Sequence, residues 1–257
     1  MIHGAARPSL VAITALTGAA VALSGCLGVE TTPEKSAKKA KLASKRLAGE
    51  KGLVVGTANA AVKVEGSAVV QDSNGVAAVV HLKNTGSTQV ALPVAITVSA
   101  AGGKKLYAND TPGLDASLTS LPVLEAGQEA DWVNNQILVA GRAAKVAARV
   151  GAAKGSSPGA LPKITLAGIS HGRDADGFYA KGTIRNESTI VQKRIVITCV
   201  ARDGGKVLAA GRAIVDRLAP AADLKKPTTF TVFFIGDPQQ AKLDCSAPPT
   251  VLSGGTP

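Results

Sequence analysis

Beyond residue 55, apolar and polar residues alternate with a period of two along much of the chain. Phe178, Ala180, Gly182 and Ile184 fall on one face of a predicted strand, with Tyr179, Lys181, Thr183 and Arg185 on the other. Val76, Ala78, Val80 and Leu82 alternate in the same phase. Alternation of this kind marks strands that turn one face to a core. The runs are short, rich in β-branched residues and broken by Gly, Pro, Asn and Asp, which is the punctuation of strands and turns. Asp72-Ser-Asn-Gly75 and Asp174-Ala-Asp-Gly177 read as turns, and Gly102-Gly103 and Gly204-Gly205 as hairpin tips. Long segments of helical period are missing from the body of the chain.

The alternation repeats. A shift of 102 residues places Asp72 on Asp174, Gly75 on Gly177, Asn84 on Asn186, Val98 on Val200 and Gly102-Gly103-Lys104 on Gly204-Gly205-Lys206. No gap is needed from Asp72 to Ala108, so the pattern predicts two copies of one domain. Each copy should hold about six or seven short strands, a number suited to an antiparallel sandwich. The Gly/Ser/Pro-rich stretch Lys154–Ala160 marks the boundary. The expected layout is a segment 26–55, a first sandwich over 56–153, a second over 160–249 and a disordered tail 250–257.

The amino terminus carries a different pattern. An apolar run from Leu10 to Leu23 follows the single basic residue Arg7 and ends at Leu23-Ser24-Gly25-Cys26. A basic start, a short apolar run and small residues form a secretory signal. The last four residues resemble the lipobox of bacterial lipoproteins. The resemblance implies cleavage before Cys26, acylation of its sulfur and removal of residues 1–25 as a signal peptide. The apolar run is too short to span a bilayer, which needs about 20 residues. Each buried methylene of an acyl chain contributes about 0.8 kcal/mol, and stable anchoring takes more than one chain. The expected location is the outer face of the bacterial cell membrane, or the outer membrane if the envelope has one.

Charge sharpens that expectation. The net charge is +11, and Lys35, Lys38, Lys39, Lys41, Lys45 and Arg46 gather just after Cys26. Next to a lipid anchor these side chains would contact anionic headgroups, each adding about 1 kcal/mol near the surface. The alternative is a solvated spacer. Thr32-Pro33-Glu34 carries a helix-start signal and Gly49 a stop, so this linker has a helical option. Nucleic acid is not an expected partner, because export and the lack of aromatics among the basic residues argue against it.

Gly182-Thr-Ile-Arg-Asn186-Glu-Ser, followed by Ile195-Val-Ile-Thr-Cys-Val-Ala-Arg-Asp203-Gly-Gly-Lys-Val-Leu208, is similar to the FxLYD-type immunoglobulin-like domains of bacterial lipoproteins. The resemblance implies an all-β fold of two tandem immunoglobulin-like antiparallel β-sandwich domains. It supplies no catalytic residues.

Candidate chemistry is sparse. Gly168-Ile-Ser170-His171-Gly172 matches G-x-S-x-G, but a nucleophile elbow needs a following helix and a later His. The next residues read as a turn and a strand, and no His follows His171. His81 shares a strand face with Ala77 and Val79 and is expected at a surface or edge. No Cys/His pair has metal-ligand spacing, and Asp174 and Asp176 are expected to bind their own turn backbone rather than calcium. Trp132 is expected in a core. Cys199 and Cys245 form an even pair in an exported chain, which suggests a disulfide; two buried free thiols are the alternative. Neither metal nor cofactor is expected. These residues point to a non-enzymatic interaction or spacer module of the cell envelope with an envelope protein as partner. The alternative is a small-molecule or cell-wall glycan binder, which needs aromatic side chains in a chain that is 3% aromatic.

Overall fold

Residues 52–224 and 226–252 are described by a computed structural model, in which strands and short 3-10 turns are the only regular elements. Strands β1 (Val62–Asp72), β2 (Gly75–Asn84), β3 (Gln89–Ser99), β4 (Lys105–Ala108), β5 (Ser120–Leu124), β6 (Glu129–Ile137) and β7 (Lys145–Val150) make the first half. Strands β8 (Ile164–Asp174), β9 (Gly177–Asn186), β10 (Gln192–Asp203), β11 (Lys206–Leu218), β12 (Thr228–Gly236) and β13 (Lys242–Ser246) make the second. All of them pair antiparallel. The architecture is an all-β antiparallel sandwich, as the alternation predicts.

The halves pair in the same order. In the first, β1-β2-β6 faces a sheet in which β3 pairs with β4, β5 and β7. In the second, β8-β9-β12 faces β13-β10-β11, and a short pairing of β11 with β12 joins these two layers. Between the first pair of layers lie Val80, Leu82, Val94, Ile96 and Trp132; between the second lie Ile184, Ile195, Ile197, Phe230 and Val232. These inward positions carry the period of two seen in the sequence. Trp132 is buried in the first core as expected.

A third apolar cluster was not anticipated. Ala77 and Val79 on β2 and Val133 on β6 pack against Val200 on β10, Ala210 on β11 and Ile235 on β12. The β1-β2-β6 and β10-β11 layers therefore bury their outer faces against each other, and the sheets stack in four layers. His81 is partly exposed at the rim of this seam, an edge position, while Ala77 and Val79 on its face of β2 lie inside it.

The repeated Asn explains part of the repeat. The Asn84 Nδ2 donates to the carbonyls of Ser87, Leu124 and Glu125 at 2.8, 3.0 and 2.9 Å, and its Oδ1 accepts from Gly86 N at 3.0 Å. The Asn186 Nδ2 donates to Ile190 O at 2.8 Å and Leu218 O at 3.3 Å, and its Oδ1 accepts from Ser188 N at 3.1 Å. Each fully buried amide thus fastens the end of one sheet to the end of the facing one. Losing one partner of a buried hydrogen bond costs about 1–3 kcal/mol per orphaned group. Asn84→Ala and Asn186→Ala should each destabilise by at least about 2 kcal/mol in urea unfolding. A loss below about 0.5 kcal/mol, the range of ordinary surface substitutions, would refute the role.

The repeat register ends at Ala108 because the halves diverge there. The single strand β11 is matched in the first half by β4 and β5 with residues 109–119 between them. Asn109 bridges the gap: its Oδ1 accepts from Ile96 N at 2.7 Å and its Nδ2 donates to Val94 O and Leu118 O at 2.8 Å. Thr250 and Val251, expected in a disordered tail, are held by hydrogen bonds. The buried Gln192 Oε1 accepts from Thr250 N at 3.0 Å and Val251 N at 3.1 Å, and its Nε2 donates to Val251 O at 2.8 Å. A fully buried amide has to find such partners.

Candidate functional site

The densest group of ionisable side chains surrounds the seam. Asp131 on β6 is its centre: its Oδ1 accepts from Arg202 Nη2 of the second half at 2.6 Å and lies 3.0 Å from His81 Nδ1. The His81 Nε2 lies 3.3 Å from Glu129 Oε2, and Lys83 Nζ donates to Glu129 Oε1 at 2.9 Å. Arg202 also reaches Asp244 at 3.7 Å, which in turn meets Lys242 at 3.1 Å. The hydrogen bond from Lys83, together with its charge, holds the Glu129 carboxyl below its ordinary range. The ring and carboxylates are presented by adjacent register partners, His81↔Asp131 and Lys83↔Glu129 on β2 and β6. Thr198 Oγ1 donates to the Asp131 carbonyl at 3.4 Å, so β10 is tied to β6 through backbone as well as charge.

A second set of bonds comes from the segment that breaks the repeat. Asp115 caps the turn Ala116–Leu118, accepting from Ser117 N at 2.9 Å, and pairs with Arg194 of β10 at 2.5 Å. Arg212 on β11 is 7% exposed; its Nη1 donates to Ser117 O at 3.3 Å and its Nη2 to Ser117 Oγ at 2.5 Å. Burial lowers the Arg212 guanidinium from its ordinary range. The Ser117 hydroxyl, its backbone N–H and Arg194 together hold the Asp115 carboxyl below its own, against partial burial. A carboxyl lowered in this way stabilises the fold above its ordinary range, and that contribution fades as the pH falls through the lowered value. Elsewhere on the seam, Asp72 Oδ2 accepts from Gly236 N at 2.8 Å.

Along one flank of the seam runs an open groove. One concavity of about 650 Å³ lies between Glu125 and Lys163, and an adjoining one of about 440 Å³ is bounded by His81, Arg202 and Asp244. Its floor includes Ile169, Leu243 and the bridged Cys245.

Cys199 and Cys245 are joined, with an S–S distance of 2.08 Å and Cα atoms 4.1 Å apart. They are register partners on β10 and β13. Thr97 and Ala147 are the register partners at the matching place on β3 and β7. Ser170 and His171 lie within β8, which runs through a bulge after Ala167 and turns directly into β9. The Asp174 Oδ1 accepts from Asp176 N at 2.9 Å, so this carboxylate closes its own turn. Among the described residues no group of three or more His, Cys, Asp and Glu is arranged to hold a metal ion, and no helix is long and apolar enough to cross a membrane. Leu23, Ser24, Gly25, Cys26, Lys35, Lys38, Lys39, Lys41, Lys45 and Arg46 lie outside the described residues.

The seam residues went unread in the sequence although a signal existed. Val76-Ala-Ala-Val-Val80 is an unbroken apolar run inside an otherwise alternating chain, which indicates burial on both faces. Arg212, Asp131 and Arg202 carried no such mark. No protein-family model matches the chain, and no curated protein matches it.

Proposed function

We propose that this chain is an exported bacterial lipoprotein, anchored through Cys26 to the outer face of a membrane, and that it works as a non-enzymatic interaction or spacer module of the cell envelope. The observation that carries this reading is Leu23-Ser24-Gly25-Cys26 at the end of a short apolar run behind Arg7. Two tandem immunoglobulin-like domains are the natural description of its body. Their common strand order, the paired Asn84 and Asn186, and the matching Thr97/Ala147 and Cys199/Cys245 positions support it. A disulfide suits an oxidising compartment. The seam favours a presenting role, because side-chain bonds on several sides of an apolar centre hold the halves as one body. The Lys-rich stretch after Cys26 would lie against anionic headgroups, and the partner would be another envelope protein.

Mass spectrometry of the mature protein should find acylated Cys26 as its first residue. A Cys26→Ala variant exported on, and cleaved from, a non-lipoprotein signal peptide should move from the membrane fraction to the soluble fraction, because without acyl chains it has no lipid anchor. A variant that stays membrane-bound after export would refute the anchor.

A further inference from the structure

The layer β8-β9-β12 turns one face to the core of the second half; on its other face Ile235 reaches the seam, and the rest is uncovered among the described residues. The register reads this outer face as rows across three strands. One row is Gly172, Tyr179 and Phe233; the next is Ser170, Lys181 and Thr231; the third is Ala167, Thr183 and Thr229. The three rows therefore carry two aromatic rings, a series of hydroxyls and one ammonium, and none of their positions is a carboxylate. Carboxylates of this layer sit outside these rows: Glu187 pairs with Arg185 at 3.5 Å and Asp174 closes its turn.

The rings are set for contact. Phe233 is 41% exposed, an unusual state for a large aromatic side chain in a chain with so few. Tyr179 and Phe233 meet edge to face with centroids 6.3 Å apart. Tyr179 reaches across the neighbouring strand at Gly172, where a Cβ would come within 2.8 Å of its hydroxyl. Only glycine there lets the ring lie low on the sheet. Lys181 Nζ stands over the Tyr179 ring, 5.7 Å from its centroid, and forms no ion pair with the described residues, so a sugar that takes its place on the ring finds the ammonium at its edge. Rows along a strand are about 7 Å apart, so a ring seated on Tyr179 brings its substituents within reach of Lys181 and the threonine hydroxyls.

We propose that this face binds an anionic polysaccharide, with sugar rings seated on Tyr179 and Phe233 and their carboxylates met by Lys181. The apolar C–H faces of a sugar pack on aromatic rings, its hydroxyls exchange hydrogen bonds with Ser170, Thr183, Thr229 and Thr231, and the only formal charge within the rows is positive. This goes beyond the interaction-module reading, whose partner is an envelope protein, by adding a second partner class, and it rests on that reading for the presence of such polymers around the protein.

The test is affinity electrophoresis of the full chain in detergent micelles through gels containing polygalacturonate, with polyglutamate and neutral dextran as comparison gels. Polygalacturonate should retard the chain more than either. Tyr179→Ala and Lys181→Ala should each weaken retardation by about tenfold, equivalent to about 1.4 kcal/mol, while far-UV circular dichroism shows both variants folded at the temperature of the gel. Equal retardation by polyglutamate would reduce the effect to bulk charge and overturn the proposal. So would equal retardation by dextran, no retardation at all, or full retention by both variants. A dimer in sedimentation that Phe233→Ala dissociates would assign the face to a second copy and overturn it too. The Cys26→Ala fractionation is read separately, so failure of the anchor and failure of the glycan face are told apart.

Discussion

Val79→Asp should split the unfolding of this protein into two transitions. Val79 is 1% exposed and lies on the face of β2 that meets Val200, Ala210 and Ile235. A carboxylate placed there is buried among apolar seam residues, the nearby Arg202 is already engaged by Asp131, and a buried charge without a partner of its own costs about 3–5 kcal/mol. The side chain points out of the first core, so Val80, Leu82 and Trp132 beneath it keep their packing. The cost falls on the coupling between the halves. The wild type should unfold in urea as a single cooperative step, with the fluorescence of Trp132, the sole tryptophan, coinciding with far-UV circular dichroism. In Val79→Asp the two probes should separate, because Trp132 reports the first half alone. Val79→Ala, which removes two methyl groups, should cost about 1–2 kcal/mol and leave the probes together. Coincident curves in Val79→Asp would show that the seam does not couple the halves.

What the sequence reveals and what it hides follows from the range of each interaction. A strand face, a turn tetrad and a hairpin glycine are local, so alternation and Asp/Gly placement were enough to anticipate β2, β9 and the turns between β1 and β2 and between β8 and β9. The match of Asn84 with Asn186 is also visible in the sequence, although its purpose, a clamp between facing sheets, needs the fold. The seam depends on contacts such as Arg202 with Asp131 and Arg212 with Ser117, which join residues far apart in the chain. No local period marks them. The repeat itself misdirects here, since two matching domains suggest two independent bodies. The halves hold each other where they stop matching: residues 109–119 break the register and carry Asp115 and Ser117 to Arg194 and Arg212. The exposed rows on β8, β9 and β12 were half legible. Alternation puts Tyr179 and Lys181 on one face, but only the register adds Phe233 and Gly172 beside them.

Reduction of the Cys199–Cys245 bond should destabilise the second half by up to about 4 kcal/mol and leave the first half's own core unchanged. The bond closes a span of 46 residues, and the chain-entropy model assigns about that amount to a loop of such length. It also fastens β13, a strand with a partner on one side only, to β10 at the edge of its sheet. Without it, β13 keeps its ladder with β10, the packing of Leu243 and the contacts of Asp244 with Arg202 and Ser246 with Thr198, and Gln192 and the Lys193 carbonyl hold the chain beyond it at Thr250 and Val251. The first half reaches the same strand pairing with Thr97 and Ala147, which reduction cannot touch. In wild type the seam transmits the loss, so dithiothreitol should lower the single unfolding midpoint seen by both probes. In Val79→Asp the halves report separately: dithiothreitol should lower the circular-dichroism step of the second half and leave the Trp132 step where it was. A shift of the Trp132 step by the same amount would mean that the halves remain coupled without the apolar seam. A midpoint unmoved in either protein would mean that strand pairing, not the disulfide, holds β13 in place.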